Sequence, residues 1–330
     1  MLNPDSLQVF VVAAETENFS LTAQRLHMSQ PAVSQHISAL EKRLGVLLFE
    51  RRGRRIKLSA TGKTLLPLVQ DLLRAHKRVE EVALALSGEV VGHLVIGCST
   101  TSGKYVLPWL LARYRERHPL VRGTIRVGLR PQVIDWLLSG EVDLGITSER
   151  VQRSGLHYCR FFEDEIVLVV PTGHPWAQRE SVHPLELYEE RFIMREPTSG
   201  THMALVEGLD QVGVDVDRLE TVLVVGNSEA ILLAVEEGIG LGFVPRVAAK
   251  RCTALGRVKI VPLEGLSMTR WLYIAYNLAL PQTPAQRAFW EFMQEIHPGL
   301  PRTIPEHDLR KMVPQARSNR GIAREKASEP

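Results

Sequence analysis

Between Phe19 and Glu41 the apolar positions follow two short helical rhythms separated by a tight turn. In the first, Leu21, Ala23 and Leu26 share one face, which predicts a helix over residues 20–27 with Ser20 as its N-cap. Met28 and Ser29 form the turn. Ser29 is placed to cap the next helix, and Pro31 fits a first turn, where a missing N–H costs nothing, so the second helix begins at about Gln30. Along it Val33, Ile37, Leu40 and Leu44 recur at helical spacing as the buried stripe, leaving Gln30, Ser34, Gln35 and Ser38 on the outer face.

That outer face carries amides and hydroxyls instead of the charges of an ordinary solvated helix. Glutamine can pair bidentately with adenine and serine with several bases, so the face suits base edges in a major groove. A helical hairpin that only packs is the plainer alternative, and the segment on its C-terminal side argues against it. Residues 48–58 read as a strand, a turn at Gly53 and a second strand, a wing carrying Arg51, Arg52, Arg54, Arg55 and Lys57 for phosphate contacts. Over residues 20–60, eight basic side chains (Arg25, Lys42, Arg43, Arg51, Arg52, Arg54, Arg55, Lys57) face two acidic ones (Glu41, Glu50), an excess of six positive charges. The whole chain carries only +3, so the charge is localised where a nucleic acid would bind.

The next segment is a long helix ending near Gly88. Leu65, Leu72, Val79 and Leu86 repeat every seven residues, and Leu68, Ala75 and Val82 fill the intervening seam positions. About 25 helical residues span roughly 38 Å. A helix packed on its own domain is the alternative to a dimerising linker; paired reading of two DNA half-sites favours the linker.

Beyond Gly88, strands and helices alternate. Strands are expected at 93–98, 123–128 and 142–147, with helices at 105–117 and 132–139, then a second unit with strands at 164–171, 191–194, 220–225, 242–245 and 259–262 and helices at 185–188, 202–211 and 227–237. Strand 270–276 and helix 284–296 are expected to return to the first unit. This rhythm predicts a parallel sheet with helices on both faces. Four loops rich in small polar residues fall at strand C-terminal or helix N-terminal ends: Ser99-Thr100-Thr101-Ser102-Gly103, Thr147-Ser148, Pro197-Thr198-Ser199-Gly200-Thr201 and Gly226-Asn227-Ser228. Any one of them reads as a helix cap. Four at equivalent ends of two units point to a cleft ligand site, and free amides at helix N-termini favour an anion.

The motif Ser20…Thr22-Ala23…Leu26…Ser29-Gln-Pro-Ala-Val-Ser34…Ile37…Leu40-Glu41…Leu44-Gly45…Leu48-Phe49…Arg51…Leu58-Ser59…Thr61-Gly62 resembles the winged helix-turn-helix of LysR-type transcriptional regulators, and the resemblance extends to about residue 297. Thr22 departs from the family's alanine but is still small. The resemblance implies a multidomain chain: an all-α winged helix-turn-helix over 1–60, a linker helix over 61–88, and an α/β effector domain of periplasmic-binding-protein type with lobe I at 89–163 and 266–297 and lobe II at 164–265. It also implies base and phosphate contacts from Gln30, Pro31, Ser34, Gln35, Ser38, Arg51, Arg52 and Arg54. A small metabolite would be held by Ser99, Thr100, Thr101, Thr147, Ser199, Thr201 and Asn227. The runs Ser99–Pro108 and Arg195–Thr201 are similar to regulators of carbon fixation and of sulfur metabolism, and His202 stands where many relatives have arginine. Expected partners are double-stranded promoter DNA, the effector, a second copy in a homodimer or homotetramer, and RNA polymerase.

Composition changes little in this picture. With 330 residues, 45% of them hydrophobic, the chain has room for two or three domains. Cys98, Cys159 and Cys252 are too scattered for a disulfide framework or metal cluster, and with neither a signal sequence nor a membrane span the cytoplasm is the expected compartment. Gly238-Ile-Gly-Leu-Gly242 follows a helix and precedes a strand, the reverse of a dinucleotide fingerprint. No zinc spacing and no nucleophile elbow occurs, so neither enzyme chemistry nor a cofactor is expected. A small-molecule-binding or catalytic α/β protein, with its N-terminal helices serving only assembly, is the competing reading. Residues 298–330 read as a basic tail.

Overall fold

The computed structural model describes residues 2–52, 55–86 and 88–296, and contacts divide the chain after Glu89 into two compact units. The expected tail, 298–330, lies outside the described residues.

In the first unit, α1 (Pro4–Thr16), α2 (Phe19–Arg25) and α3 (Gln30–Leu44) precede the wing, β1 (Phe49–Arg52) and β2 (Arg55–Leu58), and the long helix α4 (Ala60–Leu86). The cap of α2 differs from expectation. Asn18, not Ser20, accepts from the free amides of Ser20 and Leu21, which starts the helix at Phe19 and turns Leu21 outward. Thr22 takes the inward place at 0% exposure, its hydroxyl donating to Asn18 O at 2.8 Å and bonded to Thr16 Oγ1 at 2.7 Å. A hydroxyl buried that deeply is tolerated because it is satisfied. Phe10, Val33, Ile37, Leu40, Leu48 and Phe49 complete the core. Leu65 and Val69 of α4 also pack into it, so the first leucine of the heptad series faces inward; Leu68, Leu72, Val79, Val82 and Leu86 are exposed.

The second unit begins with β3 (Gly92–Cys98), α5 (Thr100–Tyr105), α6 (Leu107–Arg117), β4 (Val121–Val127), α7 (Arg130–Ser139) and β5 (Leu144–Thr147). The helix expected over 105–117 begins two residues late, at Leu107, with Pro108 in its first turn, where a missing N–H costs nothing, and the short helix α5 occupies the stretch read as a polar loop. The chain continues through β6 (Leu156–Pro171), β7 (Arg191–Arg195), α8 (Gly200–Asp210), β8 (Glu220–Val225), α9 (Ser228–Glu236), β9 (Leu241–Pro245), α10 (Arg246–Ala254), β10 (Val258–Val261), β11 (Met268–Asn277) and α11 (Pro284–Ile296). The short helix at 185–188 is a 3-10 turn, and α10 has no counterpart in the sequence reading.

Among the described residues these strands form one sheet, ordered β4-β3-β5-β11-β6-β9-β7-β8, with β10 paired to β6. It is mixed: each βαβ unit is parallel within itself, as its rhythm predicts, and the antiparallel strands between the units depart from the expected parallel sheet. Two parallel sets, β4-β3-β5 and β9-β7-β8, are joined through the antiparallel pair β6 and β11, which run from one set to the other. Each set has its own core. Leu94, Ile96, Tyr114, Ile274 and Phe289 anchor one, where Tyr114 donates to Ala285 O at 2.8 Å and fastens α11; Leu168, Phe192, Leu209, Leu241 and Phe243 anchor the other. Helices α7, α9 and α10 cover the opposite face.

Candidate functional site

On α3, Ser29 Oγ accepts from Ala32 N at 3.3 Å and Pro31 occupies the first turn, so the helix starts where its sequence signals place it. Gln30, Pro31, Gln35 and Ser38 are exposed, and Ser34 is half-buried. Gly45 closes the helix in the left-handed region at φ 70°, where a Cβ is disfavoured. The wing is fastened to this helix by Glu41, whose Oε1 accepts from Leu48 N at 2.7 Å and Phe49 N at 3.2 Å. Its second strand is held by Glu17, which accepts from Leu58 N at 3.2 Å. Arg51 and Arg52 lie on β1; Arg54 lies outside the described residues. Glu41 therefore ties the start of the hairpin to the helix on which Gln30, Gln35 and Ser38 are exposed.

In the second unit a cavity of about 240 Å³ lies where the two strand sets meet. Ser99, Thr100 and Thr101 reach it from the start of α5, Arg130 and Gln132 from α7, and Thr147 and Ser148 from the end of β5. From the other set come Arg195 and Glu196 at the end of β7, Thr198 to Thr201 at the start of α8, and Gly226; Arg270 enters from β11. Six of the seven residues expected to hold a ligand line this one cavity: Ser99, Thr100, Thr101, Thr147, Ser199 and Thr201. Asn227 does not. Its Oδ1 is spent capping α9, accepting from Ala230 N at 2.9 Å, and its neighbour Gly226 forms the wall instead. His202, in the first turn of α8, is half-buried and also outside the lining.

The sequence reading did not find the charged residues of the wall. Three arginines line it, each with a carboxylate partner: Arg130 with Glu149, Arg195 with Glu196, and Arg270 with Asp164. Arg270 donates to Asp164 Oδ2 from Nε at 3.1 Å and from Nη2 at 2.8 Å. Burial pushes the Asp164 carboxyl above its ordinary value, with Arg270 pulling against it. Gly200 is required here by close approach: a Cβ would stand 2.1 Å from Ser148 Oγ and 3.1 Å from Arg270 Nη1.

Hydroxyls, helix N-termini and guanidinium groups around a small cavity are groups able to hydrogen-bond a polar ligand; among the described residues no group of three or more His, Cys, Asp or Glu is placed to hold a metal. No described helix is long and apolar enough to cross a membrane.

A winged helix-turn-helix on one unit and a two-lobed α/β fold with a polar cavity on the other define a DNA-binding regulator with an effector domain. Residues 4–63 match the model of the bacterial regulatory helix-turn-helix proteins of the lysR family, and residues 87–297 match the LysR substrate binding domain. The chain belongs to the LysR family of transcriptional regulators. A probable RuBisCO transcriptional regulator of Porphyra purpurea is 31% identical over 296 residues, covering 88% of this chain and 92% of the relative. Full-length CbnR, solved in complex with its target DNA, shares the fold at 21% identity with a TM-score of 0.64, over 89% of this chain and 99% of that one. The regulatory domain of Synechocystis CcmR, solved with 2-phosphoglycolate, has a TM-score of 0.56 at 25% identity over 62% of this chain and 97% of that domain.

Proposed function

We propose that this regulator reads promoter DNA through Gln30, Pro31, Ser34, Gln35 and Ser38, holds phosphates through Arg51, Arg52 and Arg54, and is controlled by a small anionic metabolite in the cavity. Ser99, Thr100, Thr101, Thr147, Ser199 and Thr201 supply hydroxyls and helix-terminal amides to that ligand, and Arg195 and Arg270 supply charge. The observation that carries the reading is the convergence of six anticipated polar residues, from distant parts of the chain, on one cavity between the strand sets. The 2-phosphoglycolate bound by the CcmR domain belongs to the same ligand class. Lobe I is taken as 89–163 with 266–297 and lobe II as 164–265, so that one crossing falls within β6 and the other just before β11. Ligand-linked closure of the lobes changes the spacing of two DNA-binding units in a homodimer or homotetramer, a coupling free energy between sites without bond-making, and RNA polymerase receives the output.

Titration of the full chain on a fragment of its own upstream DNA, with and without 2-phosphoglycolate and related anions, tests this. Sequence-preferring, salt-sensitive binding that shifts with one anion is expected, with the shift weakened by Thr100→Ala while basal binding persists. An unaltered anion response in Thr100→Ala would move the ligand elsewhere.

A further inference from the structure

The cavity arginines are held in different ways. Asp164 grips Arg270 by its Nε and Nη2 edge from outside the wall, since Asp164 is not itself a lining residue. That leaves Nη1 beside Gly200 and Ser148, with no protein acceptor for it among the described residues. Glu196, by contrast, is part of the wall, and it fills the fork of Arg195 with both oxygens: Nε donates to Oε2 and Nη2 to Oε1, each at 2.8 Å. The Arg195 side chain is 9% exposed and that of Glu196 26%. The receptor is thus fixed, while its occupant already stands partly in water.

A side-on guanidinium fork accepts a carboxylate or a phosphate with the same two parallel hydrogen bonds. An oxyanion entering this cavity meets a fork already occupied by an oxyanion of the protein. We propose that Glu196 is a built-in, displaceable occupant of the Arg195 anion receptor, and that the effector binds by taking its place. The proposal rests on the reading that the cavity takes an anionic effector. Displacing Asp164 from Arg270 would strand a buried charge, which is expensive, whereas Glu196 already stands partly in water and its released carboxylate can be solvated. Because Glu196 is the immediate chain neighbour of Arg195, it competes at a high effective concentration that never dilutes. It therefore sets a threshold: an oxyanion that binds Arg195 and the surrounding hydroxyls together displaces it, and a neutral polar molecule gains nothing from doing so.

Calorimetric titration of the full chain with inorganic phosphate, glycolate and 2-phosphoglycolate tests the exchange and separates phosphate from carboxylate as the displacing group. Glu196→Gln keeps the size of the side chain and is expected to bind the displacing anion about tenfold more tightly, the scale of one charge-assisted contact. Arg195→Gln should abolish that gain, so that Glu196→Gln adds nothing in its background. Weaker or unchanged binding by Glu196→Gln, at an unaltered melting temperature, would overturn the proposal by making Glu196 a ligand contact or a bystander. A gain that survives in the Arg195→Gln background would overturn it too, since the cause would then be repulsion through space. Absence of anion binding by the native chain and every variant would defeat the cavity reading itself, and this inference with it.

Discussion

Asp164 and Arg270 stand directly opposite one another across the antiparallel pairing of β6 and β11, with side chains 3% and 9% exposed. Both connections between the strand sets pass this point, so the pair sits under the cavity and inside the joint. A buried ion pair is poor evidence for stability gained, yet removing one partner leaves an uncompensated buried charge. Arg270→Gln is expected to destabilise the second unit by about 3–5 kcal/mol, and Asp164→Asn with Arg270→Gln by clearly less. Urea unfolding of the three proteins decides it; equal losses in the single and double variants would mean that the charge is not what matters.

The DNA face separates into two kinds of contact. Gln35 is exposed on α3, where an amide can read a base edge, whereas Arg52 belongs to the wing. Gln35→Ala should relax discrimination at particular base pairs by about 1–3 kcal/mol, and Arg52→Ala should weaken all sequences alike while lowering the salt slope by about one. Binding isotherms on matched and mutated operators at several salt concentrations test both. A uniform loss for Gln35→Ala removes it from base readout.

Much of this was legible because it rests on local chemistry. The Ser29 cap, Pro31 and the stripe of Val33, Ile37 and Leu40 each follow from neighbours within one or two turns, and the Ser/Thr loops mark strand ends however the strands are paired. What escaped depends on register between distant segments. Arg270 meets Asp164 only because β11 pairs with β6 in one alignment, and nothing at either position announces it. The parallel pairing predicted from alternating strands and helices holds within each set, but the antiparallel crossing of β6 and β11 escaped for the same reason, since a strand that crosses between sets reads like any other apolar run. Ser20 reads as a cap as readily as Asn18 because hydroxyl and amide caps are near-equivalent in propensity, and the structure uses the earlier residue.

The cysteines should be chemically quiet where they are buried. Burial pushes the Cys98 thiol up to about 12 and that of Cys159 to about 11, the latter despite the opposing charge of Arg150. The thiolate is the reactive form, so at pH 8 both are almost wholly protonated as well as shielded. Ellman's reagent is expected to titrate Cys252, which is half-buried, well before the other two in the native protein, and all three in urea. Rapid modification of Cys98 in the folded chain would contradict its full burial in the core beside Ile96.

The long helix carries apolar seam positions that stay exposed among the described residues of its own unit. Leu72 and Val79 are exposed one heptad apart, whereas Leu65 and Val69 are consumed by the winged-helix core. A charge at an exposed seam position costs little in a single chain and much in a paired one. Val79→Glu should therefore leave thermal unfolding of the first unit nearly unchanged and shift sedimentation toward smaller species. An unchanged association state would assign self-association to other surfaces.

Glu41 fixes the wing to the recognition helix with a single carboxylate oxygen that accepts from two successive backbone amides, Leu48 and Phe49. Those amides stand at the entry to β1, so their direction determines where the arginines of the hairpin run relative to Gln35 and Ser38. Glu41→Ala leaves two partly buried N–H groups without their acceptor, a cost of about 1–3 kcal/mol each when water cannot replace it. Glu41→Gln retains an oxygen in the same place and should preserve the geometry at lower strength. DNA binding by Glu41→Ala is expected to lose the phosphate contacts of the wing before it loses base discrimination, seen as a shallower salt slope with the order of preferred sequences intact. If Glu41→Ala retained the native salt slope, the wing would be positioned by Glu17 and the β1–β2 pairing alone, and the carboxylate of Glu41 would matter only for stability.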